Sequence, residues 1–324
     1  MKKNVEKEIF DQVYFDCFKD DVVESERPDF LIRGKEGNSL GVEITEVYRD
    51  CTDARLTHHE GYMGNLLDKV IPPYKSDQKN IHVDEIQIID STGNEKARVN
   101  AVIIEALPLK DSVKLVEMSI QEKNIKAADY LTKCDMVDLI VHDSSMLLTV
   151  DSFESFHKVF FPNIAKEVIS NSPFREIYIL VSFAKGEKSY IPLKINLFLS
   201  DFFALNECVR KHDLSEYDDE ESWDIVFRCM YLLGHHSFSY IFGEDMLSLF
   251  HGAWSFEVKE EGNNLKDYSN WLCKFDKGTP INEENKNIYV VEKDLCEKLV
   301  FERAFVSSII PIFFKARGIT KCSS

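Results

Sequence analysis

Val5, Ile9, Val13 and Cys17 recur at every fourth position, flanked by Phe10, Tyr14 and Phe18. That stripe predicts an amphipathic helix over 3–20. The pattern then changes to alternation. Residues 30–33 and 40–48 read as strands, joined by GKEGNS, a glycine-containing hairpin connection. A helix is predicted over 52–70, carrying His58, His59 and Glu60 and closed by Pro72 and Pro73. Strands at 81–90 and 98–106 flank the turn sequence STGNEK.

A long helix is expected from a cap at Asp111 or Ser112 to about Cys134. It leads into MVDLIVHD (136–143), whose apolar centre suits a strand buried on both faces. A second helix over 152–170 ends before Pro173, and EIYILVSF and YIPLK read as strands. Beyond 196 the pattern predicts helices at 196–211, 222–233, 240–250 and 293–316, around a looser acidic segment at 255–287. No internal repeat is present. The order predicts an α/β fold: a three-layer core of mixed sheet flanked by helices over 1–195, and a mainly helical domain over 196–324.

Composition narrows the class. Hydrophobic residues make up 44% of the chain, with 23 Phe, enough for a full core. The N-terminal MKKNVEKEIFDQVYF is broken by charges too early for a signal peptide. No run reaches the ~18 apolar residues of a membrane helix, so a soluble protein with no membrane partner is expected. The eight cysteines contain no CxxC pair and read as free thiols in a reducing cytoplasm. Cys208 with His212, or Cys229 with His235 and His236, lacks the paired spacing of a zinc site.

Net charge is −17. Nucleic-acid binding is mostly phosphate neutralisation by Lys and Arg. A chain this acidic must bind DNA through a local basic patch, a bound divalent metal or a partner subunit. The densest acidic run, SEYDDEESWD at 215–224, reads as a solvated loop.

The chemistry concentrates in 26–48. Leu40, Val42 and Ile44 share one strand face, and Glu43 and Thr45 share the other. A hairpin turning near Glu36 and Gly37 gives paired residue numbers that sum to about 73, which sets Asp29 opposite Glu43–Thr45 within one residue. Cross-strand Cβ atoms lie roughly 4.5–5.5 Å apart, so the two carboxylates can grip one hard cation. Such a cation activates water and neutralises a phosphoryl oxygen. Taken alone, an Asp after Pro and a strand Glu are also ordinary solvent-facing residues.

Arg27-Pro28-Asp29-Phe30 followed by Gly41-Val42-Glu43-Ile44-Thr45 resembles the PD-(D/E)xK nuclease superfamily over roughly residues 1–145. The resemblance implies a restriction-endonuclease-like core in which Asp29 and Glu43 bind Mg²⁺ or Mn²⁺. Thr45 stands where the family carries Lys, a residue that some members supply from a neighbouring helix. Here Lys123, Lys126 and Tyr130 share one helical face beside an apolar stripe of Ile120, Ala127, Ala128 and Leu131. An N-terminal Glu often completes the family's metal site, which points to Glu8, with Glu6 as the second choice.

The expected activity is metal-dependent hydrolysis of DNA phosphodiester bonds; the sequence does not discriminate DNA from RNA. By family analogy the setting is prokaryotic anti-phage defence. The alternative is a catalytically degenerate module that binds nucleic acid or a partner protein, or that assembles with a second copy. No P-loop, GxGxxG or GxSxG motif is present. His58-His59-Glu60 lacks HExxH spacing and reads as helix or loop surface.

Overall fold

Helix α1 (Lys3–Tyr14) buries Ile9, Phe10, Val13 and Tyr14, the stripe expected from spacing; Cys17 and Phe18 fall outside the described residues. The computed structural model describes residues 3–14, 22–34, 37–72, 74–104, 107–148, 152–182, 188–214, 219–243, 246–259, 264–267, 279–280, 293–306 and 314–315. After α1 come strands β1 (Val22–Glu24), β2 (Phe30–Arg33) and β3 (Ser39–Glu46), then helices α2 (Cys51–His58), α3 (Tyr62–Leu67) and α4 (Lys75–Asn80). The ribbon β4 (Ile81–Ile89) and β5 (Glu95–Ile104) precedes the 22-residue helix α5 (Leu109–Tyr130) and strand β6 (Met136–His142). Helices α6 (Phe153–Asn163) and α7 (Lys166–Ser170), strands β7 (Ile177–Ser182) and β8 (Lys188–Pro192) and helix α8 (Leu193–Lys211) follow.

The C-terminal region holds α9 (Asp219–Leu232), β9 (Phe238–Phe242), β10 (Met246–His251), β11 (Trp254–Lys259), β12 (Asn264–Asp267), β13 (Thr279–Pro280), α10 (Lys293–Glu302) and β14 (Phe314–Lys315).

The main sheet runs β1-β2-β3-β6-β7-β8-β14. The β3–β6 and β6–β7 pairs are parallel, and the flanking pairs are antiparallel. It is therefore an α/β architecture with a mixed sheet flanked by helices. Alternation splits each central strand between two cores. Leu40, Val42, Ile44 and Ile140 pack with residues of α1 and α8 on one face. Val47, Val137, Leu139 and Val141 pack with Val113, Val116 and Ile120 of α5 on the other.

Helix α8 is buried nearly all round, Lys194, Asn196 and Asp201 included, as a helix enclosed between layers must be. Its Phe198 and Phe202 share one core with Ile44 of the sheet and with Phe238, Trp254 and Phe256 of the C-terminal region. Buried Glu176 accepts hydrogen bonds from the Lys194 backbone and from Trp254 Nε1 at 2.9 Å, tying the same parts together.

Several boundaries differ from the sequence reading. Where the sequence predicts a helix over 240–250, the described residues form the antiparallel strands β9 and β10, paired from Leu247–Phe242 to His251–Phe238. Phe238, Tyr240 and Phe242 alternate with Ser239 and Ile241, and that period of two prevails once β11 offers a further partner. The helix expected over 152–170 breaks between α6 and α7 just after Pro162, whose ring removes a donor and crowds the preceding turn. The helix expected over 52–70 is two short ones, with Gly61 at φ 76° between them. Helix α5 starts at Leu109 behind Pro108, ahead of the expected cap, and ends at Tyr130 rather than near Cys134. The acidic run is described only from Asp219, where it opens α9; residues 215–218 lie outside the described set.

Candidate active site

The β2–β3 register pairs Phe30 with Val42 and Ile32 with Leu40, so paired numbers sum to 72 and Asp29 lies opposite Glu43. This is one step from the expected sum and brings together the two acids expected to pair. Pro28 ends the ladder, and the Ile44 amide donates instead to Asp29 Oδ2 at 2.8 Å. Gly41 makes the close approach possible. A Cβ there would sit 2.5 Å from Pro28 Cγ and 2.8 Å from Cys134 Sγ, so a side chain would push the Pro28–Asp29 segment off β3.

Glu43 projects from the β3 face covered by α5 and is only 5% exposed. Lys123 donates to its Oε1 at 2.5 Å, and Tyr130 donates to the same oxygen at 2.9 Å. Of the two candidate lysines, Lys123 reaches the carboxylate; Lys126, three residues on, is exposed. Thr45 forms a hydroxyl pair with Ser119 of α5 at 3.2 Å. That contact fastens helix to strand one turn before Lys123. Glu8 is exposed, whereas the charge of the half-buried Glu6 reaches Asp29. Geometry thus favours Glu6 over Glu8, because α1 turns that side towards β2.

The electrostatics are those of an acid pair short of positive charge. Burial, and then the neighbouring Glu43 carboxylate, push Asp29 up to about 7. Burial and the same carboxylate hold the Tyr130 hydroxyl well above its usual range. Glu43 Oε2 is buried without a hydrogen-bond partner among the described residues, a costly state for a carboxylate oxygen unless a cation or donor meets it. Among the described residues no group of three or more His, Cys, Asp or Glu is arranged to hold a metal ion. The carboxylates this strand pair offers are Asp29 and Glu43, with the charge of Glu6 reaching Asp29 from α1. Mg²⁺ accepts such a set, since it commonly keeps several waters and binds through one or two carboxylates plus substrate phosphate.

A second polar cluster, not foreseen, lies on the opposite face of β3. Glu46 accepts from Tyr48, lies 3.1 Å from His58 Nε2 and forms an ion-pair contact with His142 Nδ1 at 3.6 Å. His58 therefore belongs with Glu46 rather than Glu43, while His59 and Glu60 are exposed. Its signal in sequence was the even numbering of Glu46 and His142 on paired strands, which is legible only once β3 and β6 are known to be neighbours. The histidines beside cysteines are engaged elsewhere: His235 with Asp201 at 3.0 Å and His212 with Glu302 at 2.5 Å. No described helix is long and apolar enough to cross a membrane. No family model, no curated protein and no solved structure matches the chain.

Proposed function

We propose that this chain is a metal-dependent nuclease of the PD-(D/E)xK type, hydrolysing DNA phosphodiester bonds with Asp29 and Glu43 as metal ligands. The observation that carries the reading is the Lys123 ammonium on Glu43, delivered from α5 where the strand motif has Thr45. The Glu43 Oε2 left without a partner among the described residues and the raised Asp29 carboxyl would both suit a divalent cation held between them.

When bound, Mg²⁺ or Mn²⁺ would supply an acidified water and charge neutralisation at a phosphoryl oxygen. The chain's own groups do the positioning. Asp29 is aimed by the Ile44 amide, and Tyr130 holds the Glu43 side chain in one rotamer. Lys123 places a cation beside the acid pair, where it can orient a water or a phosphate oxygen. Incubation of plasmid, linear and single-stranded DNA, and of RNA, with Mg²⁺ or Mn²⁺ tests the reading. Cleavage should require the metal and disappear in Asp29→Ala.

One observation favours a second reading, a nucleic-acid or partner-binding module without chemistry: Lys123 already neutralises one Glu43 oxygen with no metal needed. That module would bind without cutting, and its affinity would survive metal chelation.

A further inference from the structure

Away from the acid pair, the loop after β3, α4, β4 and the start of α5 surround a cavity of about 640 Å³. No residue of the candidate active site lines it. Lys79 at the end of α4, His82 on β4 and Lys114 on α5 bring basic side chains to its rim, all three exposed. Lys79 makes no ion pair among the described residues, and Lys114 pairs only with its helix neighbour Glu117. Arg49 also lines the cavity but is held by Asp53 at 3.0 Å. Leu107, Pro108 and Leu115 form an apolar wall.

Two carboxylates complete the lining. Asp50 is committed: its Oδ1 caps α2 through the Thr52 and Asp53 amides, and its Oδ2 accepts from Asn80. Asp111 is exposed and can accept hydrogen bonds.

This mixture selects among ligand classes. A bare anion gains nothing from an apolar wall and is opposed by Asp111. An apolar ligand gains nothing from the lysines. A nucleotide combines an anionic phosphate, flat base faces and hydroxyl or amino donors, and the volume falls within the roughly 300–1,000 Å³ usual for such sites. Leu115, Ser119 and Lys123 follow one another at four-residue spacing on α5. The cavity therefore lies roughly 12 Å along the helix from Lys123.

We propose that the cavity is a nucleotide-binding site, with the phosphate on Lys79 and Lys114 and the base against Leu107, Pro108 and Leu115. It goes beyond the nuclease reading, because Asp29 and Glu43 contribute nothing to it. The bound unit comes either from a nucleic-acid strand or from a free nucleotide. The same chemistry serves both.

Isothermal titration of the full chain in EDTA tests this with adenosine 5′-monophosphate, a 5′-phosphorylated tetradeoxynucleotide and inorganic phosphate. Both nucleotide probes should bind, and Lys79→Glu/Lys114→Glu should weaken them by about tenfold or more. Lys79→Glu alone, at an exposed position, guards against a folding effect and should weaken binding in the same direction. Tighter binding of the tetranucleotide assigns the site to a strand, and equal binding assigns it to a free nucleotide; either supports the site. No binding at about millimolar concentration, equal affinity for inorganic phosphate, or unchanged binding in both lysine variants would overturn it.

Discussion

Lys123 of α5 places its ammonium on Glu43 of β3 across a sequence separation of 80 residues. The expected consequence is asymmetric between two nearby lysines. Lys123→Met keeps most of the apolar stem but leaves the buried Glu43 without its cation, so the melting temperature should fall, and cleavage at temperatures where the variant is folded should drop by about 10²–10³. Lys126→Met should leave the rate within about threefold, the scatter expected of an exposed side chain. Single-turnover cleavage by both variants checks this. Thr45→Lys in the Lys123→Met background should partly restore the rate, offset by loss of the Ser119 contact.

Asp29 links metal, protons and stability. Its folded carboxyl is raised to about 7 from 3.8, so the folded chain binds this proton more tightly than the unfolded one. The stability it confers is fully present below about pH 3.8 and is lost as pH rises through about 7. A bound divalent cation reverses the shift. The melting temperature should therefore rise with Mg²⁺ markedly at pH 8 and little at pH 5.5. Asp29→Asn should abolish both the Mg²⁺ response and this part of the pH dependence. A melting temperature indifferent to Mg²⁺ at every pH would remove the metal site.

Gly41→Ala inserts a Cβ against Pro28 Cγ and Cys134 Sγ. The Pro28 ring is closed onto its own backbone nitrogen and cannot swing away as a flexible side chain would, so overpacking should cost about 1–3 kcal/mol. Urea unfolding measures that cost. Because Pro28 leads into Asp29, metal affinity should fall as well. Cys134→Ala should relieve only part of the defect.

Asp138 accepts from Arg175 Nε at 2.9 Å, from Tyr14 at 2.6 Å and from the Glu176 amide at 3.1 Å, all out of water. Arg175→Leu would leave that carboxylate buried without its cation, at a cost of about 3–5 kcal/mol. Chemical denaturation should show that loss, and cleavage at temperatures where the variant is folded should be retained, since this cluster lies on the sheet face away from Glu43. A loss of activity without a loss of stability would place Asp138 in the chemistry.

What the sequence by itself determined is local. Alternation along 40–46 settled which side chains share a face. The hairpin length brought Asp29 to within a residue of Glu43, because register in an antiparallel pair follows from turn length. The α1 stripe, the long α5 and the buried β6 were equally readable. Tertiary structure decided what depends on packing between distant segments. Lys123 and Lys126 share one helical face, and only the seating of α5 on β3, fixed in part by Thr45 and Ser119, sent one to Glu43 and the other to solvent. Glu6 rather than Glu8 faces Asp29 for the same reason. Residues 238–251 carry apolar side chains at spacings that fit either helix or strand. A neighbouring strand with open hydrogen-bonding groups resolved that ambiguity, and no local signal in the chain encodes such a partner.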